Sequence, residues 1–168
     1  MNIAVYSCRM DDRRESKRVK ILAHRLFPRA DWWLWLDWPF RLTVDAESMV
    51  IDGAGIVGFK HRFNGDAYEE HAACARMQKD DLATMRKQID RYRLERFPRA
   101  FGLIECGVLL RRNCPDVIAF NEAWWAEVEK GSARDQLSVG YAAWKTGVRW
   151  ECWPGTVFEN SMTKVVAI

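Results

Sequence analysis

The chain has 168 residues, 49% of them hydrophobic and 29% charged, the balance of an ordinary globule long enough to bury one core. Twenty-six Lys and Arg stand against 23 Asp and Glu, and a formal charge of +3 is too small an excess to argue for a nucleic-acid coat or a basic membrane patch. The longest apolar runs, residues 32–36 and 107–110, fall far short of the ~20 residues of a spanning helix. Residues 1–10 run straight into Asp11-Asp12-Arg13-Arg14, unlike a secretory leader. The expectation is a single domain over 1–168, located in the cytoplasm, without a membrane span. Cys8, Cys74, Cys106, Cys114 and Cys152 are odd in number and scattered, with no C-x-x-C pair, so they read as reduced thiols rather than a disulfide framework or a zinc site. Nine tryptophans are the anomaly, since Trp is bulky, amphipathic and enriched at binding surfaces.

In chain order, residues 2–7 read as a short buried strand, and 14–26 as a helix with Val19, Leu22 and Leu26 on one face, stopped by Pro28. Residues 32–37 are apolar and aromatic on both faces, which suits a central strand, and Pro39 ends it. A strand over 55–60 follows, then helices over 66–77 and 82–94, then an extended stretch over 101–110. Pro115 opens a helix reaching residue 129, and Ser132 reads as the cap of a last helix over 133–145. The tail from 149 is mixed, with a last strand over 164–168. Strands alternating with helices define an α/β class with one mixed, mostly parallel sheet. Gly53, Gly55 and Gly58 lack the order of a phosphate loop.

Five places carry chemistry. Asp37 ends an apolar strand, where it either presents a carboxylate at the sheet's carboxyl edge for a hard cation or caps the turn before Pro39. His61 and Arg62 end the next strand; His61 reads as a metal ligand, a phosphate donor, a partner of Asp37 or a surface histidine. Glu69 and Glu70 open a helix, either as dipole partners or as counter-charges in a cleft. Glu105 stands in an otherwise apolar strand, so it must be paired, solvated in a cleft or shifted in pKa. Arg134, Asp135 and Gln136 lie in a first helical turn, where polyols and anions are well received.

Taken in order, several pieces resemble one family. They are Arg14, Lys17, Lys20, Ile21, His24, Leu26, Phe27 and Pro28; Leu34-Trp35-Leu36-Asp37; and Phe59, His61, Tyr68, Glu69 and Glu70. Further on come Gly102, Leu103, Glu105, Gly107, Val108, Leu110 and Arg111, then Trp124-Trp125 ahead of Ser132, Arg134, Asp135, Gln136, Leu137 and Ser138. This pattern is similar to the glycosyltransferase-like domain family typified by plant proteins of pollen turgor and seed mucilage, with bacterial and phage members. The resemblance implies a GT-A-like, Rossmann-like fold, a mixed and mostly parallel sheet flanked by helices, abbreviated here at the N-terminus. It implies transfer of a sugar from a nucleotide-sugar donor to an acceptor hydroxyl, on a glycan or a modified nucleic acid. Asp37 would sit where such folds hold a divalent metal, Mn or Mg, although Pro39 stands where the motif has a second acid or amide. Glu105 and Asp135 are then the expected catalytic bases. Tyr6, Lys17, Lys20, Trp38, His61, Arg62, Glu69, Arg134 and Gln136 are the expected substrate-binding residues. The alternatives are a catalytically degenerate nucleotide- or partner-binding module on the same fold, a nucleic-acid-associated protein using the basic helix 13–25 and the run Arg91, Arg93, Arg96 and Arg99, and a Trp-rich interaction protein.

Overall fold

The computed structural model describes residues 1–8 and 12–166. Chain order is β1 (Ile3–Tyr6), α1 (Arg13–Ile21), α2 (Ala23–Leu26), β2 (Trp32–Leu36), β3 (Phe40–Leu42), β4 (Ile56–Lys60), α3 (Ala67–Arg76), α4 (Leu82–Leu94), β5 (Ile104–Arg112), α5 (Pro115–Lys130), α6 (Val139–Thr146), β6 (Trp150–Trp153) and β7 (Thr163–Val165). Five strands form one sheet in the order β1-β2-β5-β4-β6. β1 runs parallel to β2 and β4 parallel to β6, while β5 is antiparallel to both its neighbours. Four strands therefore share one direction and β5 opposes them, giving the mixed, mostly parallel sheet of a Rossmann-like glycosyltransferase fold.

The doubly apolar pattern of β2 follows from two covered faces. Trp33 and Trp35 pack with Ile21, Phe120 and Trp124 of α1 and α5 on one side. Trp32, Leu34 and Leu36 pack on the other with Phe40, Met49 and Trp153, beneath a 3-10 turn over Ala46–Met49 and the small β3–β7 ribbon. Most of the tryptophan surplus is thus core: Trp33, Trp35 and Trp124 are fully buried, each with its indole N–H donated to an acceptor. Three of the four arginines of the run are paired, with Arg91 on Glu95 and Glu127, Arg93 on Asp90, and Arg99 on Asp66.

Three expectations are corrected. The helix over 14–26 breaks at Leu22 (φ −87°, ψ 38°) into α1 and α2, and Leu26 is 44% exposed instead of on a core face. Ser132 does not open a helix. Its hydroxyl donates to Asp80 and accepts from Arg134 N–H, and a 3-10 turn over Asp135–Leu137 precedes α6. The tail is more ordered than a mixed stretch: β6 adds an edge strand and β7 pairs with β3, each too short to carry a period-2 signal. Positions 167 and 168 of the expected last strand lie outside the described residues.

One internal charge holds α1 against the sheet. Arg111 of β5 is fully buried, and its acceptors are carbonyls, an amide and a phenol, not a carboxylate. It donates to the carbonyl of Ile21 (2.9 Å), to Asn121 Oδ1 (2.6 Å), to the Tyr6 hydroxyl (2.6 Å) and to the carbonyl of Lys20. Tyr6 in turn donates to the Lys20 carbonyl at 2.6 Å. The last carbonyls of α1 carry the negative end of its dipole, so a guanidinium there is favourably placed. Arg111→Met removes those donors while keeping bulk, and should lower stability by about 3 kcal/mol, read as a fall in the urea midpoint at unchanged m-value.

Candidate functional site

The candidate site forms where β2 and β4 end and β5 begins. The amide of Asp37, just after β2, donates to Gly107 O at 2.7 Å, and the amide of His61, just after β4, donates to Leu103 O at 3.0 Å. Gly102 turns the chain into β5 at φ 92°, a conformation open to glycine. Between these points β5 slips: Gly58 opposes Leu109 but Lys60 opposes Ile104, not Gly107. This irregularity lifts the stretch 105–107 out of the ladder, a device that re-aims side chains beside active sites. Gln136 fills the gap, its amide accepting from Cys106 N–H (3.0 Å) and donating to the Ile104 carbonyl.

The result is a hollow of about 190 Å³ whose charged lining is Lys17, Asp37, Glu105, Arg134 and Asp135. Phe40, Val157 and Phe158 close its apolar side. Larger clefts of about 350–450 Å³ lie at the opposite sheet edge, and one of about 550 Å³ lies between α4 and α5; none of them gathers these acids.

Lys20 organises the inner wall. Helical spacing puts Lys17 and Lys20 one turn apart on α1, and Lys20 has no exposed surface. Its Nζ lies 2.6 Å from Asp135 Oδ2 and 3.6 Å from Asp37 Oδ1, and Lys17 Nζ lies 3.3 Å from Asp135 Oδ2. Trp35 Nε1 donates to Asp37 Oδ1 at 2.6 Å, and Trp124 Nε1 to the Asp135 carbonyl at 3.0 Å. Burial alone would raise the Asp135 pKa, but Lys17 and Lys20 outweigh it and hold the carboxyl far below the usual range. Burial alone would lower Lys20, but Asp135 and Asp37 outweigh it and raise the ammonium. Both groups are therefore charged at neutral pH.

His61 organises the outer wall. Its Nδ1 accepts from the amides of Asn64 (3.0 Å) and Phe63 (3.3 Å), which places the imidazole proton on Nε2. That N–H faces Glu70 Oε2 at 3.6 Å and Glu105 Oε1 at 3.9 Å, with Glu105 the more exposed of the two carboxylates. Glu70, 5% exposed, also accepts from Asn64 Nδ2 (2.6 Å) and Cys74 Sγ (3.2 Å) and faces Arg134 Nη2 at 3.8 Å.

Of the expected catalytic and metal-holding residues, Asp37, Glu105 and Asp135 line the hollow, and His61 stands directly behind Glu105, not beside Asp37. Lys17, Arg134 and Gln136 line it too, with Lys20 beneath. Three expectations change. Tyr6 is buried and its hydroxyl is spent on the Lys20 carbonyl and Arg111, so it positions Lys20 and does not face a ligand. Glu69 is exposed and caps the turn at Gly65 N–H, whereas Glu70, one residue on, points inward. Asp135 is clamped by two lysines, whereas Glu105 faces His61 and the hollow. Arg62 lies at the rim, its guanidinium 4.1 Å from the Phe158 ring and 4.4 Å from the Phe63 ring, and Arg41 lies 4.5 Å over Trp38. Sequence reasoning missed Phe158 and the positioning roles of Trp35 and Trp124, none of which carries a local signal.

The donor set does not suit a divalent metal. Hard cations take about six oxygen ligands at ~2.0–2.6 Å. Among the described residues no three His, Cys, Asp or Glu side chains gather in a metal-holding group, and the two nearest carboxylates already share an ammonium.

A mixed, mostly parallel α/β sheet with a polar hollow where β2 and β4 end has the edge at which open α/β sheets take ligands. The chain belongs to the TOD1/MUCI70 glycosyltransferase-like domain family, whose model matches residues 3–167. It is 30% identical over 141 residues to "Probable hexosyltransferase MUCI70" of Arabidopsis thaliana, covering 76% of this chain and 24% of that protein. It is 26% identical over 136 residues to "Alkaline ceramidase TOD1" of the same plant, covering 73% of this chain and 29% of that protein. The matched segment thus spans about a quarter of the length of these relatives. No solved structure matches at comparable significance. No helix among the described residues is long and apolar enough to cross a membrane.

The Lys–Asp cluster makes stability pH-dependent in a fixed direction. A carboxyl whose folded pKa is depressed stabilises above its unfolded pKa of about 3.9, and that contribution drains away as pH falls below about 5. Asp135→Asn should cost about 3 kcal/mol at pH 7, because it leaves Lys17 and Lys20 short of counter-charge, and should flatten the acid limb of a stability–pH curve from chemical denaturation.

Proposed function

We propose that this chain transfers a sugar from a nucleotide-sugar donor to an acceptor hydroxyl at the hollow between β2, β4 and β5. The observation that supports this reading is convergence. Asp37, Glu105 and Asp135, with His61 behind Glu105, come from four separated segments and meet at the sheet edge where such folds take ligands.

Sugar transfer passes through an oxocarbenium-like transition state, so charge must be absorbed on the leaving diphosphate and a proton removed from the acceptor. Lys17 and Arg134 are the cations that line the hollow and serve the first need. Glu105 serves the second: it is partly open to the hollow, and the His61 ring lies 3.9 Å behind its carboxylate. At about 190 Å³ the hollow is smaller than the ~300–1,000 Å³ of pockets that enclose a whole ligand, so it holds the sugar and nearby phosphate only. The nucleoside then lies over the rim, where Phe63 (74% exposed) and Phe158 (51%) flank the Arg62 guanidinium. The ceramidase name of one relative suggests amide hydrolysis on a lipid as a second activity, but an ionic lining suits hydroxyls and phosphates better than hydrocarbon chains.

The test is a panel of nucleotide-sugars scored by thermal shift and by donor turnover. A cognate donor at about 100 times its Kd should stabilise the protein by ~2.7 kcal/mol. Glu105→Gln should lower turnover by about 10²- to 10⁴-fold while the melting point holds. Binding without turnover would make the chain a nucleotide-binding module on the same fold, and no binding by any donor would end the reading.

A further inference from the structure

We infer that the buried Lys20 ammonium stands in place of a divalent cation between Asp37 and Asp135, so that the hollow takes a phosphorylated ligand without a metal ion. The part of this inference that concerns the ligand rests on the donor reading above; the part that concerns the ammonium does not.

Charge balance is the first argument. Asp37 and Asp135 carry two negative charges, and Lys17 and Lys20 return two positive ones within 2.6–3.6 Å. A divalent ion would add two unmatched positive charges beside a fully buried ammonium, and like charges at that range repel strongly where water is excluded. Coordination is the second argument. Asp37 Oδ1 is occupied by the Trp35 indole and faces Lys20, Asp135 Oδ2 is shared by two ammonium groups, and Asp135 Oδ1 accepts from Gln136 N–H at 3.1 Å. Of the four oxygens of these two carboxylates only Asp37 Oδ2 is left, and Glu105 beside it does not bring the donors to a hard cation's ligand set. The third argument is that Lys20 is not free to withdraw. Its carbonyl is gripped by Tyr6 and Arg111, and its side chain has no path to solvent without unpacking α1.

The ligand's anionic oxygens are met instead by Lys17, whose side chain keeps 14% exposure, and by Arg134, at 29%. Arg134 Nε–H is buried with no acceptor among the described residues. Glu70 sits 3.8 Å from that guanidinium, an ion pair without a hydrogen bond, so the fork is not saturated by the protein.

Three measurements on the full chain test this. First, Mn²⁺ titrated into the protein and followed by electron paramagnetic resonance should remain free aquo ion, and stoichiometric binding overturns the inference. Second, UDP and GDP affinities measured by calorimetry in EDTA should equal those in Mn²⁺. Binding that vanishes in EDTA overturns the inference and leaves the transferase reading standing. Absence of binding in both buffers overturns the transferase reading and the ligand part, and the Mn²⁺ titration then decides the ammonium part by itself. Third, Lys20→Met leaves Asp37 and Asp135 with Lys17 as their remaining ammonium, and its melting point should rise with Mn²⁺ where the unaltered protein's does not; no such gain counts against the substitution of ammonium for metal. Should Lys20→Met fail to fold, Lys17→Met replaces it. That variant should weaken nucleotide binding in EDTA by about tenfold or more, and unchanged affinity overturns the assignment of Lys17 to the ligand.

Discussion

A lysine ammonium sealed from water must be neutralised at close range or it unfolds its surroundings. That requirement shapes this molecule more than any other single interaction. Lys20 is the shared point of three elements: its helix, the end of β2 through Asp37, and the 3-10 turn before α6 through Asp135. Its own carbonyl is held from behind by Tyr6 of β1 and Arg111 of β5. The backbone and side chain of one residue thus lock a helix, three strands and a turn into one geometry. The hollow inherits its precision from that lock, since every charged group of its inner wall is positioned by it.

The outer wall is built by a different device. A regular β5 would bury or expose Glu105 according to simple alternation, but the slip opposite β4 breaks the alternation and sets the stretch 105–107 at the sheet edge. Gln136 supplies the hydrogen bonds that the slipped ladder leaves unmade. His61 completes this wall because two loop amides fix its tautomer and aim one N–H at two acids. Both walls use residues whose positions are set by backbone groups, which costs little side-chain entropy when a ligand arrives.

Much of this was visible in the residues. An apolar strand ending in a lone carboxylate, a second ending in His61, and a carboxylate within a third all pointed to one sheet edge, and they meet there. Lys17 and Lys20 at helical spacing, with Arg134 and Gln136 in a later turn, also belong to the hollow. Adjacent residues were harder to tell apart. Glu69 and Glu70 are equivalent in type, and only the phase of α3 against His61 and Arg134 decides that Glu70 faces inward. Asp135 reads as a reactive acid until its two lysines are seen, because its partners lie 115 and 118 positions away in sequence. Tyr6 looked like a ligand contact for the same reason.

The sequence alone determined the class of fold, the strands that bring acids to an edge and the family to which the chain belongs. These depend on short-range periodicity and on residue types at fixed spacing, which any segment carries within itself. Tertiary structure decided which acid is clamped by lysines and which faces His61, where β5 slips, where the first helix breaks, and that an ammonium occupies the space between Asp37 and Asp135. Those outcomes depend on distance through space between segments far apart in the chain, and charge energies that fall off over a few ångströms cannot be read from order along it.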